Sequence, residues 1–193
     1  MTEDFRDADL SNQSWEGRHF EHTAFTDADL RGLVTKGCTF DHCDFSRADM
    51  GESAHTASAF RSCTFERTNL MHSELSGCTL LGTSFFECRF RPWKIRETDL
   101  TLASLAGANL RGTALSGLRL REANLTGADL RECDLTGTDL RGARLLETKL
   151  AGADLRGASL DANGLRQAAL SGARVDIDTA IAFAAAHGLQ VGD

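Results

Sequence analysis

Apolar residues recur along this chain at every fifth position. From Phe5 to Val175, 33 of the 35 residues whose numbers are multiples of five are Leu, Phe, Met, Ile, Val or Trp. Only Thr35 and His55 interrupt the series, and no insertion shifts its register. A step of five suits neither regular element. On a helix it turns about 140° and scatters apolar residues around the axis. On a strand it alternates between faces. The pattern therefore predicts a short repeated side and corner, with the chain coiling about an axis. Two places before each apolar centre, 28 of 34 residues are Ala, Ser, Thr or Cys, small enough to point inward beside it. Two places after the centre lie 14 of the 18 glycines, where a tight corner demands positive φ.

The phenylalanines give the number of sides. Phe5, Phe25, Phe45, Phe65 and Phe85 are twenty apart, as are Phe20, Phe40 and Phe60. A lateral repeat of twenty means four pentads per turn, a square coil. Stacked at the interstrand spacing of ~4.8 Å, nine such coils make a rod of roughly 43 Å. After Val175 the pattern stops and DIDTAIAFAAAHGL begins. Asp176 or Asp178 suits a helix N-cap, alanine favours helix, and Gly188 suits the C′ position. The reading is a β-solenoid over 1–175 and a closing helix over 176–193. Ile177, Ile181, Ala184 and Ala185 fall on one helical face, with Leu189 beyond. That face, together with Phe183, either caps the last coil or also pairs with its twin in a two-fold dimer.

Units such as AGADLRGASL resemble the pentapeptide-repeat family, with its small–polar–Leu/Phe–x–x motif. FRSCTFERTNL at 60–70, CRFRPW at 88–93 and GARVDIDTAIAFAAAHGL at 172–189 resemble its Qnr-type fluoroquinolone-resistance branch, the mycobacterial members above all. The resemblance implies a right-handed quadrilateral β-helix with a C-terminal α-helix; the handedness comes from the family, not from the spacing. It further implies a DNA-mimicking, cytoplasmic homodimer, joined through the C-terminal end, that binds and inhibits DNA gyrase and protects it from fluoroquinolones. Two such rods end to end would reach roughly 86 Å. Several Qnr proteins carry loops projecting from the coils; this chain has no register break to hold one.

Charge changes the picture. The net charge is −7 and the pI about 5.4, which argues against direct nucleic-acid binding. Residues 1–60 hold 12 acids and 5 bases, whereas 61–193 hold 16 of each, so the whole excess lies in the first three coils. That is about 0.5 charge per Å, against about 0.6 for duplex DNA. Asp9, Asp29 and Asp49 are spaced by twenty and predict a carboxylate ladder. Asp4, Glu21, Asp41 and Asp44 lie on neighbouring sides, and these seven form the candidate partner-binding face. The family motif itself accepts Asp before the centre, which supplies a structural reason for each one singly. In the other half, Arg111, Arg121, Arg131 and Arg141 recur beside acids and read as local ion pairs.

Catalytic chemistry is not legible. All six cysteines sit in the inward slot without a CxxC pair, which reads as core thiols. His22 and His42 should stack outside, and His55 reads as a core histidine. There is no nucleophile–base constellation or phosphate loop, so the reading is a non-enzyme without cofactor or metal. No signal peptide or membrane-spanning run is legible, which suits a cytoplasmic protein. The competing reading is a scaffold rod that binds an unrelated protein through outward residues such as Phe86 and Met71.

Overall fold

The computed structural model describes residues 4–192. Its backbone stacks upon itself in parallel with a register of twenty residues. Parallel bridges run from Asp4 to Ala24, Asp44 and Thr64 in one file, and from Asp9 to Asp29, Asp49 and Asn69 in another. The last of them joins Asp154 to Arg174. This is a four-sided β-helix whose sides are named here by their first centres: Phe5, Leu10, Trp15 and Phe20. Coil 1 holds those four centres, coil 2 holds Phe25 to Phe40, and so on. Extended strands are confined to the first five coils. On the Trp15 side, β1 (Ser14–Glu16), β3 (Val34–Lys36), β5 (Ala54–Thr56), β8 (Glu74–Ser76) and β10 (Lys94–Arg96) form one parallel sheet. On the Phe20 side, β2 (His19–Glu21), β4 (Thr39–Asp41) and β6 (Ala59–Arg61) form a second. On the Phe5 side, β7 (Thr64–Glu66) pairs with β9 (Ser84–Phe86). Beyond them, single bridges alternate with tight turns.

The corners share one rule. Except at Pro92, Ala162 and Gln167, the residue two after the centre takes positive φ, and in the tight corners the amide three after the centre donates back to the centre's carbonyl, as Ala28 does to Phe25 at 3.1 Å. Positive φ at that position makes these type II turns, which favour glycine. Gly117, at φ +67, has open space where a Cβ would stand. Among the described residues, seventeen non-glycines also adopt positive φ, Ala57 among them at +48. Glycine is thus the preferred but not the required corner.

Inside, the centres pack into one continuous core. The two phenylalanine columns are stacked ladders, with successive rings 4.7–5.3 Å apart. Rings of one column meet those of the other edge-on, as Phe25 does Phe40. The inward slot holds cysteines and threonines that donate to the centre carbonyl of the coil below: Cys63 Sγ to Phe40 O at 3.2 Å, Thr68 Oγ1 to Phe45 O at 2.8 Å. All six thiols are free, five of them buried and Cys88 half-buried. The two interruptions of the apolar series are partners. Thr35 Oγ1 lies 2.8 Å from His55 Nδ1, and His55 Nε2 lies 3.0 Å from Ser53 Oγ. His55 is a satisfied core histidine.

The two ends are closed differently. On coil 1 two inward slots hold long polar residues, Gln13 and Arg18. Gln13 accepts from the Trp15 indole at 2.8 Å, and the Arg18 guanidinium covers the Trp15 and Phe20 rings at 4.9 and 4.6 Å. At the other end α1 (Ala162–Leu165) is a helical turn that the pentad pattern does not foretell. Leu165 stays buried. Two carboxylates complete the lattice where the chain leaves it: Asp161 accepts from Gly142 N at 3.1 Å and Asp176 from Gly157 N at 2.9 Å. Helix α2 (Ile177–Ala186) follows, with Asp176 as its N-cap, accepting from Thr179 N at 2.9 Å. It ends at Gly188, φ +82, with Gly188 N donating to Ala185 O and Leu189 N to Ala184 O. That paired pattern is a Schellman motif.

Candidate partner-binding surface

The acidic residues stand where the twenty-residue register places them. Asp9, Asp29 and Asp49 are bridged in file on the Leu10 side. Each also serves the backbone, accepting the amide two residues on: Ser11 N at 3.1 Å, Arg31 N at 3.1 Å and Gly51 N at 2.9 Å. The same bond recurs wherever Asp or Asn precedes a centre, so the residue type there answers to the corner. The charge is not discharged by that bond, and here the three differ. Asp29 is bidentate with Arg31, which keeps its carboxyl below the usual carboxylate range. Asp9 is lowered by its bonds from the Ser11 hydroxyl and amide. Asp49 accepts from Asn69 Nδ2 at 2.7 Å and has no cation within ion-pair distance among the described residues.

The other four lie on the two sides next in turn. Asp4 and Asp44 belong to the Phe5 side. Asp4 is held to about 2 by a bidentate Arg6, and Asp44 accepts from Ser46 N and from Thr26 Oγ1 at 3.1 Å. Glu21 and Asp41 are register partners on the Phe20 side. Glu21 approaches His22 at 4.0 Å and Asp41 approaches Arg61 at 3.4 Å. The acids therefore cover three adjoining sides of the N-terminal coils. On the Trp15 side Glu16 meets Lys36 at 3.1 Å. Glu52, at an exposed corner of the Leu10 side, belongs with the candidates. Its signal was position alone, since it stands one coil above Gly32 and breaks no motif.

The C-terminal half is neutral by a local device. Arg131, Arg141 and Arg156 each fold back onto the aspartate two residues earlier, holding Asp129, Asp139 and Asp154 to about 2. Arg111 reaches the next coil, to Glu132 at 3.2 Å. His22 and His42 stack outside with ring centroids 5.0 Å apart. Among the described residues no three His, Cys, Asp or Glu come together as metal ligands, and no helix is long and apolar enough to cross a membrane.

The dimer candidates divide. Ile177, Ile181 and Leu189 are exposed at 76%, 44% and 64%. Phe183 is half-buried against the end of the core, with the His187 ring tilted against it at 4.3 Å between centroids, and Ala184 is half-buried while Ala185 is exposed. The helix thus turns one edge to the rod and leaves the Ile177–Ile181 stripe uncovered.

The pentapeptide-repeats model matches this chain with eight copies, over residues 4–34, 25–53, 56–91, 103–142 and 138–175. The chain belongs to the pentapeptide-repeat family. Among solved structures, a trypsin-treated variant of QnrB1, a plasmid-mediated fluoroquinolone resistance protein, superposes with a TM-score of 0.83. It is 22% identical, with 98% of this chain and 95% of that one covered. Full-length QnrB1 gives 0.72 at 23% identity, with 97% and 96% covered. No curated protein matches the chain. At this identity the likeness establishes the fold, and among the described residues no inserted loop breaks the twenty-residue register from Asp4 to Arg174.

Proposed function

We propose that this protein is a non-enzymatic, cytoplasmic DNA mimic that binds DNA gyrase, inhibits it and protects it from fluoroquinolones, acting as a dimer joined through α2. The observation that carries this reading is the placement of charge. Residues 1–60 carry a net charge of −7, and the candidate acids among them lie over three adjoining sides of the N-terminal coils. The likeness of the whole chain to QnrB1, a fluoroquinolone resistance protein, supports it. The acidic end would steer the rod into a basic groove made for duplex DNA. The uncovered Ile177–Ile181 stripe would join two rods about a two-fold axis, since a helix face of that kind is stable only when covered. A gyrase supercoiling assay tests the reading: added protein should inhibit supercoiling and lower the cleaved-DNA yield with a fluoroquinolone present. Supercoiling and drug-induced cleavage both unchanged would refute it.

A second reading is favoured by one observation. Phe86 stands 52% exposed on the Phe5 side, where nothing in the fold requires an aromatic. A scaffold that docks another protein through Phe86 and Met71 would use it. Affinity capture that recovers no gyrase subunit but one partner lost on Phe86→Ser would favour this reading.

A further inference from the structure

Along the Leu10 side the charge reverses sign. On coil 3 this side presents Asp49 and Glu52, neither within ion-pair distance of a cation among the described residues. On coil 5 it presents Arg89 and Arg91, both exposed and neither within ion-pair distance of a carboxylate among the described residues. Between them coil 4 presents half-buried Met71 and exposed His72. The reversal is confined to coils 3 to 5: farther out, Asp9 on coil 1 is answered at the same distance beyond coil 4 by Asp129 and Glu132 on coil 7, acids that Arg131 and Arg111 pair within the chain. The other pairs of this side are closed locally, Asp29 by Arg31 and Asp129 by Arg131.

An extended polyanion does not fit such a face. It would meet the arginines of coil 5 and, two coils or about 10 Å away, the carboxylates of coil 3. That distance is about one Debye length at 0.1 M salt, so the repulsion is felt. A polycation meets the reverse problem. The occupant must itself be bipolar at this spacing, and the face is its own complement. We propose that the Leu10 side docks a second copy of this chain, laid antiparallel about a two-fold axis through coil 4.

The axis sets coil 3 of one rod against coil 5 of the other, and coil 5 against coil 3. Asp49 and Glu52 meet Arg89 and Arg91 twice over, as an isologous interface requires. At the axis Met71 meets Met71, an apolar centre inside a charged rim, which is the usual anatomy of a protein interface. The contacts that join the two copies are exposed ion pairs around a single methionine pair, so the pairing is weak and sensitive to salt. Docking covers the Asp9–Asp29–Asp49 ladder, so the paired form withholds that ladder from any other partner. The inference stands apart from the gyrase reading, because it rests on this face alone.

Sedimentation equilibrium tests it. Ile177→Asp with Ile181→Asp, both at exposed positions, removes association through α2. In that background the mass should rise toward the dimer at ~20 mM NaCl and fall to the monomer at ~300 mM, as the Debye length shrinks. Arg89→Glu with Arg91→Glu should weaken pairing at least tenfold, and so should Asp49→Arg with Glu52→Arg. An equimolar mixture of the two should restore it, since every contact again joins opposite charges. Met71→Cys should cross-link to itself under mild oxidation, and should fail to do so in either charge-reversed protein alone. A mass that ignores salt would overturn the proposal, as would a mixture that fails to recover. So would binding of labelled duplex DNA at ~20 mM NaCl that is lost on Arg89→Glu with Arg91→Glu, which would make the arginines a phosphate site.

Discussion

Thr35 and His55 are the residues that most clearly reward reading together. Each alone breaks the apolar series; stacked one coil apart, they satisfy one another in the core. Burial drives the His55 pKa down from 6.5 to about 4. A group whose folded pKa lies below its unfolded one contributes stability that is complete above pH 6.5 and is lost as pH falls through 4. The loss is about 3 kcal/mol over that window. Thr35 keeps Ser58 as a partner at 3.0 Å, and Ser53 keeps the Met50 carbonyl at 2.8 Å, so His55→Leu orphans neither hydroxyl. Denaturation profiles of wild type and His55→Leu should nearly coincide at pH 7.5 and separate below pH 6.5, the variant being the more stable. Parallel profiles down to pH 4 would mean that His55 is not neutral in the folded state. The corners allow a matched pair of changes. Ala57 adopts φ +48 and Gly117 φ +67, the latter without a neighbour to clash. An alanine costs about 1 kcal/mol in that region. Ala57→Gly should raise Tm by roughly 2–4 °C and Gly117→Ala should lower it by as much; shifts of the same sign would refute the corner argument.

At the scale of the elements, the sequence announced whatever recurs and concealed whatever happens once. The pentad step and the twenty-residue columns foretold four sides and their register, because each coil must repeat the contacts of the last. Gly188 and the alanines foretold α2 and its end. The four-residue turn α1 was not legible. Leu165 keeps the pentad register, and only the lack of a further coil above it lets the backbone bond to itself, as Gly164 N does to Asp161 O. The roles of Gln13 and Arg18 were equally hidden, since an exception to the small-residue rule reads as a cap only once it lies at an end. Trp93 occupies an inward slot with its indole N–H unpaired among the described residues, and nothing in the packing accounts for it. Asp176 joins coil and helix through two bonds, to Gly157 N and Thr179 N. Asp176→Ala should cost about 1–2 kcal/mol in chemical denaturation, the range for a lost N-cap, whereas Asp176→Asn should retain most of it. Equal losses in the two would place the effect in the charge and not in the bonds.

At the scale of the whole molecule, the fold was legible and the candidate surface only in part. The charge asymmetry could be counted, but which acids remain unneutralised could not, because Asp29 with Arg31 and Asp27 with Arg47 pair by geometry. The charge-mimic reading depends on where the carboxylates stand and not merely on their number. Asn performs the same corner duty as Asp, as Asn69 does in accepting from Met71 N at 3.2 Å. Asp→Asn at 9, 29 and 49 together should therefore leave the fold intact by circular dichroism while removing three charges from the ladder. Gyrase affinity should fall about tenfold at low salt, and the slope of log Kd against log salt should flatten, as expected when long-range attraction is lost. The same change at Asp129, Asp139 and Asp154 alters net charge equally, but all three of those carboxylates are closed by their own arginines, whereas in the ladder only Asp29 is. That second triple should move affinity and slope little. If the two triples behave alike, net charge alone governs association, and the acidic end is no more DNA-like to its partner than the remainder of the rod.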